Sequence, residues 1–508
     1  MLMSENYDAI IIGSGLGGLS CGSYLSKNNW KVLVLEKHSI PGGYASSFKK
    51  DKYTFDSGLH MLESVGKDQS MRKFLDLCGI SEEIEFIKLK YFMRNVFPEH
   101  DIRLPSGNLE ALITLFEQNF PEEKEGVNSL FKEMIAIFND FNRFLPQTAP
   151  MWQQLPLFPF KYRSLFPALK KTIKQLVDKH LKDEKLKTLL FANYGFYGLP
   201  TSEVNIAPLI GNMGYWMEGA YYPKGGSQTL PNAFVELIKR KNGDVFFNTK
   251  VVSIIVKQGT ALGVTTKTGK KYFGKQIISN IDARKTFHTL VGDEKLPAKF
   301  VKKIDRMKPS VSAFIVYICM DEKFKAILKD LEDYEIFISN TYDQNKDYKW
   351  ILDCDAENAS FYITLYSNVD KSLVKNGKFI LSLIQGQSYK YWEKFEGDYN
   401  AGNKTEYNKE KDRIAGILVK RSETVIPNLS KHIEFEESAT PLTLKRFTGN
   451  FNGAIYGWAN AVNQVTPMDR LTKLPIKNLH LSSAWTYPGA GQAATIACGC
   501  NLGRKLRK

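Results

Sequence analysis

The chain is expected to fold as an α/β protein around a Rossmann-like dinucleotide-binding unit, and three features carry that expectation. A short apolar run, Ala9–Ile12, leads straight into Gly13-Ser14-Gly15-Leu16-Gly17-Gly18. A helical pattern follows to about Leu25, and a second apolar run, Val32–Leu35, ends in Glu36. A lone G-x-G-x-x-G says little, but here it follows a strand, opens a helix and is trailed by an acid 18 residues after Gly18. Each part has a task. Gly13 permits the tight turn, Gly15 lets a pyrophosphate approach the backbone, and Gly18 lets the helix pack on the strand. The helix start offers free N–H groups and the positive end of its dipole to phosphates. Glu36 would accept the ribose hydroxyls of an adenosine.

This unit alone does not separate NAD from FAD. After Glu36 comes KHSIPGGYASSF, with Gly42-Gly43 six residues beyond the acid. This resembles two-dinucleotide-type flavoproteins, in which a second glycine pair here lets the chain pass close to the ribityl–pyrophosphate side of the flavin. A simple NAD domain would continue into another helix. The reading is FAD.

Six further stretches follow in order: YTFDSGLHML (Tyr53–Leu62), EGAYYPKGGSQTL (Glu218–Leu230), TKVVSII (Thr249–Ile255), KQIISNIDARKTFHTLVG (Lys275–Gly292), FNGAIYGW (Phe451–Trp458) and NLHLSSAWTYPGAGQAATIACG (Asn478–Gly499). Together they resemble the phytoene desaturase-like flavoprotein superfamily, most of all its carotenoid cis–trans isomerase and all-trans-retinol saturase branch. The resemblance runs over essentially the full length. It implies a two-dinucleotide-binding (Rossmann-like) FAD domain that is discontinuous, with a mixed α+β substrate-binding domain. It also implies FAD contacts at Gly13, Gly15, Gly18, Glu36, Gly42, Gly43, Val251, Pro488, Gly489 and Gly491. Two departures stand out: Ser483-Ala484 replaces the Gly-Asp of isomerases, and Tyr487 replaces a desaturase His.

On that plan, residues 1–64, 218–293 and 446–508 form the FAD-binding domain, and 65–217 and 294–445 the substrate-binding domain. Pro223-Lys224-Gly225-Gly226 opens a helix over Thr229–Lys239. Strands are expected at Val245–Phe247, Val251–Val256, Leu262–Thr266, Ile277–Ser279 and Asn478–Leu481. Gly489–Gly491 starts a last helix, whose dipole end is available to the flavin. The segment Val65–Met217 reads as helix-rich and aromatic. Strand-like runs at Ala313–Ile318, Tyr362–Tyr366 and Phe379–Ile384 would floor a substrate cavity. The polar patch Glu396–Lys411 reads as an exposed loop.

The 508 residues carry 69 Lys+Arg against 54 Asp+Glu, a formal charge of +15. Only 14 of the cations are Arg, a mix that suits diffuse attraction better than bidentate reading of phosphates or bases. No nucleic-acid motif appears, so nucleic acid is not an expected partner. The densest basic stretch, Lys161–Lys187, spaces Leu165, Leu169, Ile173, Leu176, Val177 and Leu181 as on a basic amphipathic helix. Just before it lies MWQQLPLFPF, Met151–Phe160. Aromatics beside such a helix suit the interface of an anionic membrane, so 151–190 is a candidate membrane-facing helical part. An ordinary helix with a solvated basic face is the alternative. No apolar run approaches the ~18 residues of a spanning helix, and no cleavable apolar leader is read at the start. The expected location is cytoplasmic and peripheral to a membrane.

Six scattered cysteines and seven dispersed histidines give no disulfide framework and no metal centre. No paired-carboxylate or Ser/His/Asp spacing stands out, as befits an enzyme whose cofactor carries the redox chemistry. His60 is the best catalytic candidate, in a loop expected beside the isoalloxazine, unless backbone hydrogen bonds simply satisfy it. Tyr222, Lys224 and Tyr487 are further near-flavin candidates. The favoured activity is saturation or isomerisation of a conjugated double bond in a polyene lipid of carotenoid or retinoid type. A phytoene-type desaturase, an amine-oxidase-like enzyme and a non-catalytic prenyl-lipid carrier are the alternatives.

Overall fold

Buried on both faces, the strands Asn6–Ile12 (β1) and Val32–Leu35 (β2) show no polar alternation after Ala9. They pair in parallel with Ala9 opposite Val32, and β1 pairs on its other side with Lys271–Ser279, Ile10 opposite Ile277. Asp244–Phe246 extends the β2 edge and Leu479–Leu481 joins Lys271–Ser279, both in parallel. Thr260–Thr266 and Val251–Lys257 complete this seven-stranded sheet as antiparallel additions. The computed structural model describes residues 6–50, 53–58, 61–144, 157–324, 331–374, 378–465 and 469–508. An α/β fold with a Rossmann-like core is what the first fifty residues led one to expect.

The helix between the two strands, α1 (Leu16–Lys27), is buried from Leu16 to Ser26 and packs on the C-terminal helix Gln492–Arg507. Glycine sets how close they come. A Cβ on Gly499 would overlap the Gly17 carbonyl and the Ser20 hydroxyl, and one on Gly503 would lie 2.8 Å from the Tyr24 ring. The two chain ends are thereby locked together beneath the glycine-rich turn.

A second seven-stranded sheet has the order Ile433–Ala439, Ser312–Met320, Phe379–Gln387, Phe361–Thr364, Glu335–Ile338, Tyr91–Val96, Asp101–Pro105. All nine residues of Ser312–Met320 are buried. The last two strands come from a stretch whose sequence reads as helical. Tyr91–Val96 pairs in parallel with Glu335–Ile338, so its edge is completed by a partner 242 residues away that no local pattern announces. A small third sheet pairs Ala220–Pro223 with Leu62–Glu63 on one side and Phe86–Lys88 on the other.

Two expectations are corrected. Glu396–Lys411 is not an exposed loop: Glu396–Ala401 is helical, stops at Gly402 with φ +88°, and Thr405–Ser422 forms the next helix. Its anchors are aromatic, since Tyr399 and Tyr407 pack edge to face at 4.8 Å and Tyr407 meets Trp392 at 5.8 Å. Counting charges hides two such rings.

Nor is Lys161–Lys187 one amphipathic helix. It breaks into Phe158–Lys161, Leu165–Ala168, Ile173–Val177 and Glu184–Leu190. Local caps cut it: Thr172 and Gln175 form a capping box, and Asp183 caps the last segment. Asp140 accepts the N–H groups of Ser164 and Leu165, and the Asn205 amide donates to the Leu169 and Lys171 carbonyls. Leu165, Ile173, Leu176, Val177 and Leu181 are core residues at 2% exposure or less. The expected apolar face is therefore spent inside the protein. Among the described residues no helix is long and apolar enough to cross a membrane. The stretch Met151–Pro156 lies outside the described residues.

Candidate functional site

A cavity of about 920 Å³ opens where β1 runs into α1. Gly13 holds φ +89° and donates its N–H to the Leu35 carbonyl, which turns the chain sharply off the strand. Gly42, at φ +121°, donates to the Ser14 carbonyl and bridges to Gly15, so the second glycine pair is laid directly on the first. Gly13, Gly15, Gly42, Gly43, Glu36 and Val251 all line the cavity. No side chain caps α1 at Gly15. Its N-terminus therefore keeps unsatisfied N–H donors and a positive dipole end at this wall.

Glu36 is held before any ligand arrives. Its Oε2 accepts the Ser14 N–H at 2.8 Å and hydroxyl at 2.7 Å, and its Oε1 accepts the His38 N–H at 2.9 Å. Asn280 closes the turn from the opposite strand. Its N–H goes to the Ile12 carbonyl and its amide to the Ser482 carbonyl, with Oδ1 against Gly15. Gly18 does not line this cavity; it is wedged between Ile11 and Asn280, where a Cβ would come within 2.9 Å of either side chain.

Of the lysines that line this cavity, Lys37, Lys250 and Lys285 lie nearest in sequence to Glu36, Val251 and Asn280. Among the described residues none of them is held in an ion pair. The Lys37 and Lys285 ammonium groups converge on Gly449, 3.5 and 3.1 Å from where its Cβ would lie. Burial, with the neighbouring Lys285 and Lys250 charges, lowers Lys37 to about 8. Burial and Lys250 also lower Lys285. Lys37 and Lys285 are half-buried, with Glu36 and Asp282 near them but no ion pair, and such cations gain when an anion joins them. Backbone free of side chains, a helix N-terminus, unpaired ammonium groups and a carboxylate at the tip of β2 fit a dinucleotide with a pyrophosphate. The sequence reading missed the lysines, because they are adjacent to Glu36, Val251 and Asn280 only in space or as unremarked neighbours.

A second cavity, of about 860 Å³, meets the first at Gly58, Phe196, Tyr456, Gly491 and Gln492. Its remaining wall includes Met61, Met71, Phe74, Phe138, Phe141 and Tyr487. Charged and polar side chains line it too, among them Lys27, Lys73, Asp76, Glu218 and Arg504. Asn212 is satisfied by a reciprocal amide pair with Asn193 at 2.7 and 3.0 Å. Glu63 takes the Tyr215 hydroxyl, the Ser64 hydroxyl has no partner, and nothing in the sequence reading pointed to either residue.

The remaining predicted residues divide. Pro488 and Tyr487 line the second cavity and Gly491 lines both, whereas Gly489 packs against the Arg470 guanidinium, 2.8 Å from where a Cβ would lie. Ser483 and Ala484 line the first cavity. Tyr222 does not reach either cavity: its hydroxyl donates to buried Asp56, which also takes the Ser227 N–H. Lys224 is an exposed partner of Glu85 at 2.8 Å. Both are therefore removed from the near-flavin set. His60 lies outside the described residues.

Residues 16–395 match the family model described as flavin containing amine oxidoreductase. The chain is 27% identical to the prolycopene isomerase of Arabidopsis thaliana, over 97% of its own length and 81% of that protein. It is 23% identical to the all-trans-retinol 13,14-reductase of Danio rerio, over 94% and 82% of the two chains. A redesigned putrescine oxidase has the same fold, with a TM-score of 0.64 at 12% identity over 99% of both chains.

Proposed function

The chain belongs to the flavin-containing amine oxidoreductase family, and we propose that this FAD-dependent oxidoreductase saturates or isomerises conjugated double bonds of a hydrophobic polyene lipid, carotenoid or retinoid in type. The observation that carries the reading is the junction itself. A cavity built for a dinucleotide meets a largely apolar cavity at Gly58, Phe196, Tyr456, Gly491 and Gln492. A flavin bound there supplies the redox chemistry, and the protein supplies binding, orientation and exclusion of water.

In this reading the backbone of Gly13, Gly15, Gly42 and Gly43 and the α1 N-terminus take the pyrophosphate. Glu36 takes the ribose, Lys37 and Lys285 neutralise charge, and Val251 and the Pro488–Gly491 turn flank the rest. Gly18 and Gly489 serve by packing. Phe196, Tyr456 and Tyr487 hold a flat polyene by ring contact. The division into an FAD-binding domain (1–64, 218–293, 446–508) and a substrate-binding domain belongs to the same proposal.

A neutral polyene is nearly insoluble, so the enzyme must draw it from a bilayer. Leu157, Phe160 and Phe166 are 63%, 70% and 44% exposed and lie among Lys161, Arg163 and Lys170. Beneath them Phe158 packs on Phe144 at 5.2 Å, at the end of the helix that sends Phe138 and Phe141 into the second cavity. Exposed apolar side chains ringed by cations suit peripheral contact with an anionic membrane from the cytoplasmic side.

The test is anaerobic incubation of the reduced holoprotein with a polyene panel, followed by mass analysis. A gain of two hydrogens reports saturation, and an unchanged mass with altered retention reports isomerisation. A loss of two hydrogens by the oxidised protein would reassign it as a desaturase. Turnover of amines alone would overturn the polyene reading.

A further inference from the structure

One corner of the second cavity holds polar groups that a pure hydrocarbon cannot satisfy. Leu62–Glu63 is a two-residue strand pairing with Tyr221 and Ala220, and its alternation buries Leu62 while turning Glu63 toward the cavity. Ser64 follows at φ +62°, a conformation that non-glycine residues seldom hold. It is fixed there from three sides: its N–H donates to Gly219, and its carbonyl accepts from Met71 and Arg72. Its hydroxyl, on a residue 1% exposed, has no hydrogen-bond partner.

The facing helix, Leu209–Met217, leaves room for this corner. A Cβ on Gly214 would come 2.9 Å from Ser64 Oγ and 3.0 Å from Glu63 Cγ, and one on Gly211 would lie 3.8 Å from Glu63 Oε1. From the same helix Tyr215 brings its hydroxyl to the Glu63 carboxyl and to the Met61 carbonyl. Burial, eased by Tyr215 and reinforced by the Glu218 charge, raises Glu63 to about 7. Glu218 is itself engaged by the Ser70 hydroxyl at 2.9 Å. Glu63, Ser64 and Tyr215 line the second cavity and not the first.

We propose that Glu63, Ser64 and Tyr215 form a binding site for the hydroxyl end of a polyene alcohol. The inference rests on the reading of the second cavity as the polyene site and narrows its substrate class. An alkyl end would leave the Ser64 hydroxyl without a partner and the Glu63 carboxyl with only Tyr215 and backbone to satisfy it, which is unfavourable in a dry cavity. At this corner an anionic end would meet Glu63 and Glu218, and the cations of the same cavity are Lys27, Lys73 and Arg504. An alcohol both donates and accepts, which matches an orphan hydroxyl beside a carboxyl. Sites built around a substrate hydroxyl discriminate strongly against analogues that lack it.

The experiment compares binding of four matched polyenes by the oxidised holoenzyme, followed by quenching of flavin fluorescence. The polyenes end in hydroxyl, methyl, ammonium or carboxylate. The wild-type chain is expected to bind the alcohol at least about tenfold more tightly than the methyl analogue. Glu63→Leu should erase that preference, and Glu63→Gln, which still accepts and donates, should keep most of it. Flavin content of each variant controls for folding. Equal binding of alcohol and methyl analogue by the wild type overturns this inference and leaves the polyene reading standing, as does tightest binding of the amine or the acid. Binding of none of the four by flavin-loaded protein overturns both.

Discussion

The two cavities touch, yet they are made of different material. The end of the first at the β1–α1 turn is backbone: glycines at positive φ, the open end of α1, and one carboxylate already fixed by three donors, while Ile315, Tyr317, Tyr362 and Ile384 of the second sheet wall its other end. The second is walled by side chains from separate stretches, Met61, Phe138, Phe196, Tyr215, Tyr456 and Tyr487 among them. A backbone site binds a ligand common to many enzymes, because backbone geometry is set by a few local residues. A side-chain site can change its ligand without disturbing the fold.

The sharpest way to separate them is Gly15→Val. Gly15 has an ordinary φ of −72°, so a side chain there is not strained by the backbone. Its Cβ, however, would overlap Asn280 Oδ1 and enter the crevice against Gly42 and Gly43. Overpacking of this kind costs about 1–3 kcal/mol or more, and exclusion of a phosphate adds to it. FAD affinity should fall by about 100-fold or beyond, read as flavin copurified and as a titrated Kd. Stoichiometric flavin in this variant would show that the glycine crevice does not hold the cofactor.

The same difference explains what the sequence disclosed. The run from β1 to Glu36 is local, so the turn, the helix and the second strand could all be read from one window. The strand Tyr91–Val96 could not, because its edge partner Glu335–Ile338 is remote. The helix at Thr405–Ser422 was hidden by its polar first turns, while Ile414, Leu418 and Val419 carry its buried face. Lys161–Lys187 has helical spacing, but Thr172 and Asp183 cut it into pieces that pack inward. Lys285, Glu63 and Ser64 escaped altogether. Each is unremarkable by type, and gains its character only from what folding places opposite it.

Glu63 offers a test of the second cavity in the absence of any substrate. Its acid ionises near the ordinary 4.5 in the unfolded chain and near 7 in the folded one. Between those values the unfolded state gives up its proton first, so stability falls as pH rises and levels off above about 7. The loss attributable to this group is up to about 3 kcal/mol. Glu63→Gln should flatten that part of the stability-against-pH curve, measured by denaturant unfolding of the holoprotein. Parallel curves for the two proteins would mean that Glu63 ionises normally.

In the first cavity the corresponding group is Lys37, at about 8 through burial beside Lys285 and Lys250, with Glu36 opposing. An anion binds the protonated form better, so FAD affinity should be flat below pH 7 and weaken above pH 8. Binding near pH 8.5 should take up protons, seen by calorimetry in buffers of different ionisation enthalpy. Lys37→Met should weaken FAD by about 1–2 kcal/mol and remove the pH dependence. Proton-neutral binding by the unaltered protein would place the phosphates away from this lysine.

The smallest effect concerns how the second cavity is supplied. If Leu157 and Phe160 dip into the acyl boundary, their removal affects only delivery of a membrane-dissolved substrate. Shallow insertion of two such side chains is worth about 1 kcal/mol in all, well below their full burial. Leu157→Ser with Phe160→Ser should therefore lower flotation with anionic vesicles roughly five- to tenfold. Turnover of vesicle-borne polyene should fall in proportion, while flavin content and turnover of detergent-dispersed polyene hold. The selectivity matters more than the size. Both side chains are mostly exposed, so substituting them removes little from the core. Loss of flavin or of detergent-phase turnover would mean that they support the fold. Undiminished flotation would move the membrane contact elsewhere, and the second cavity would then need another route for its ligand.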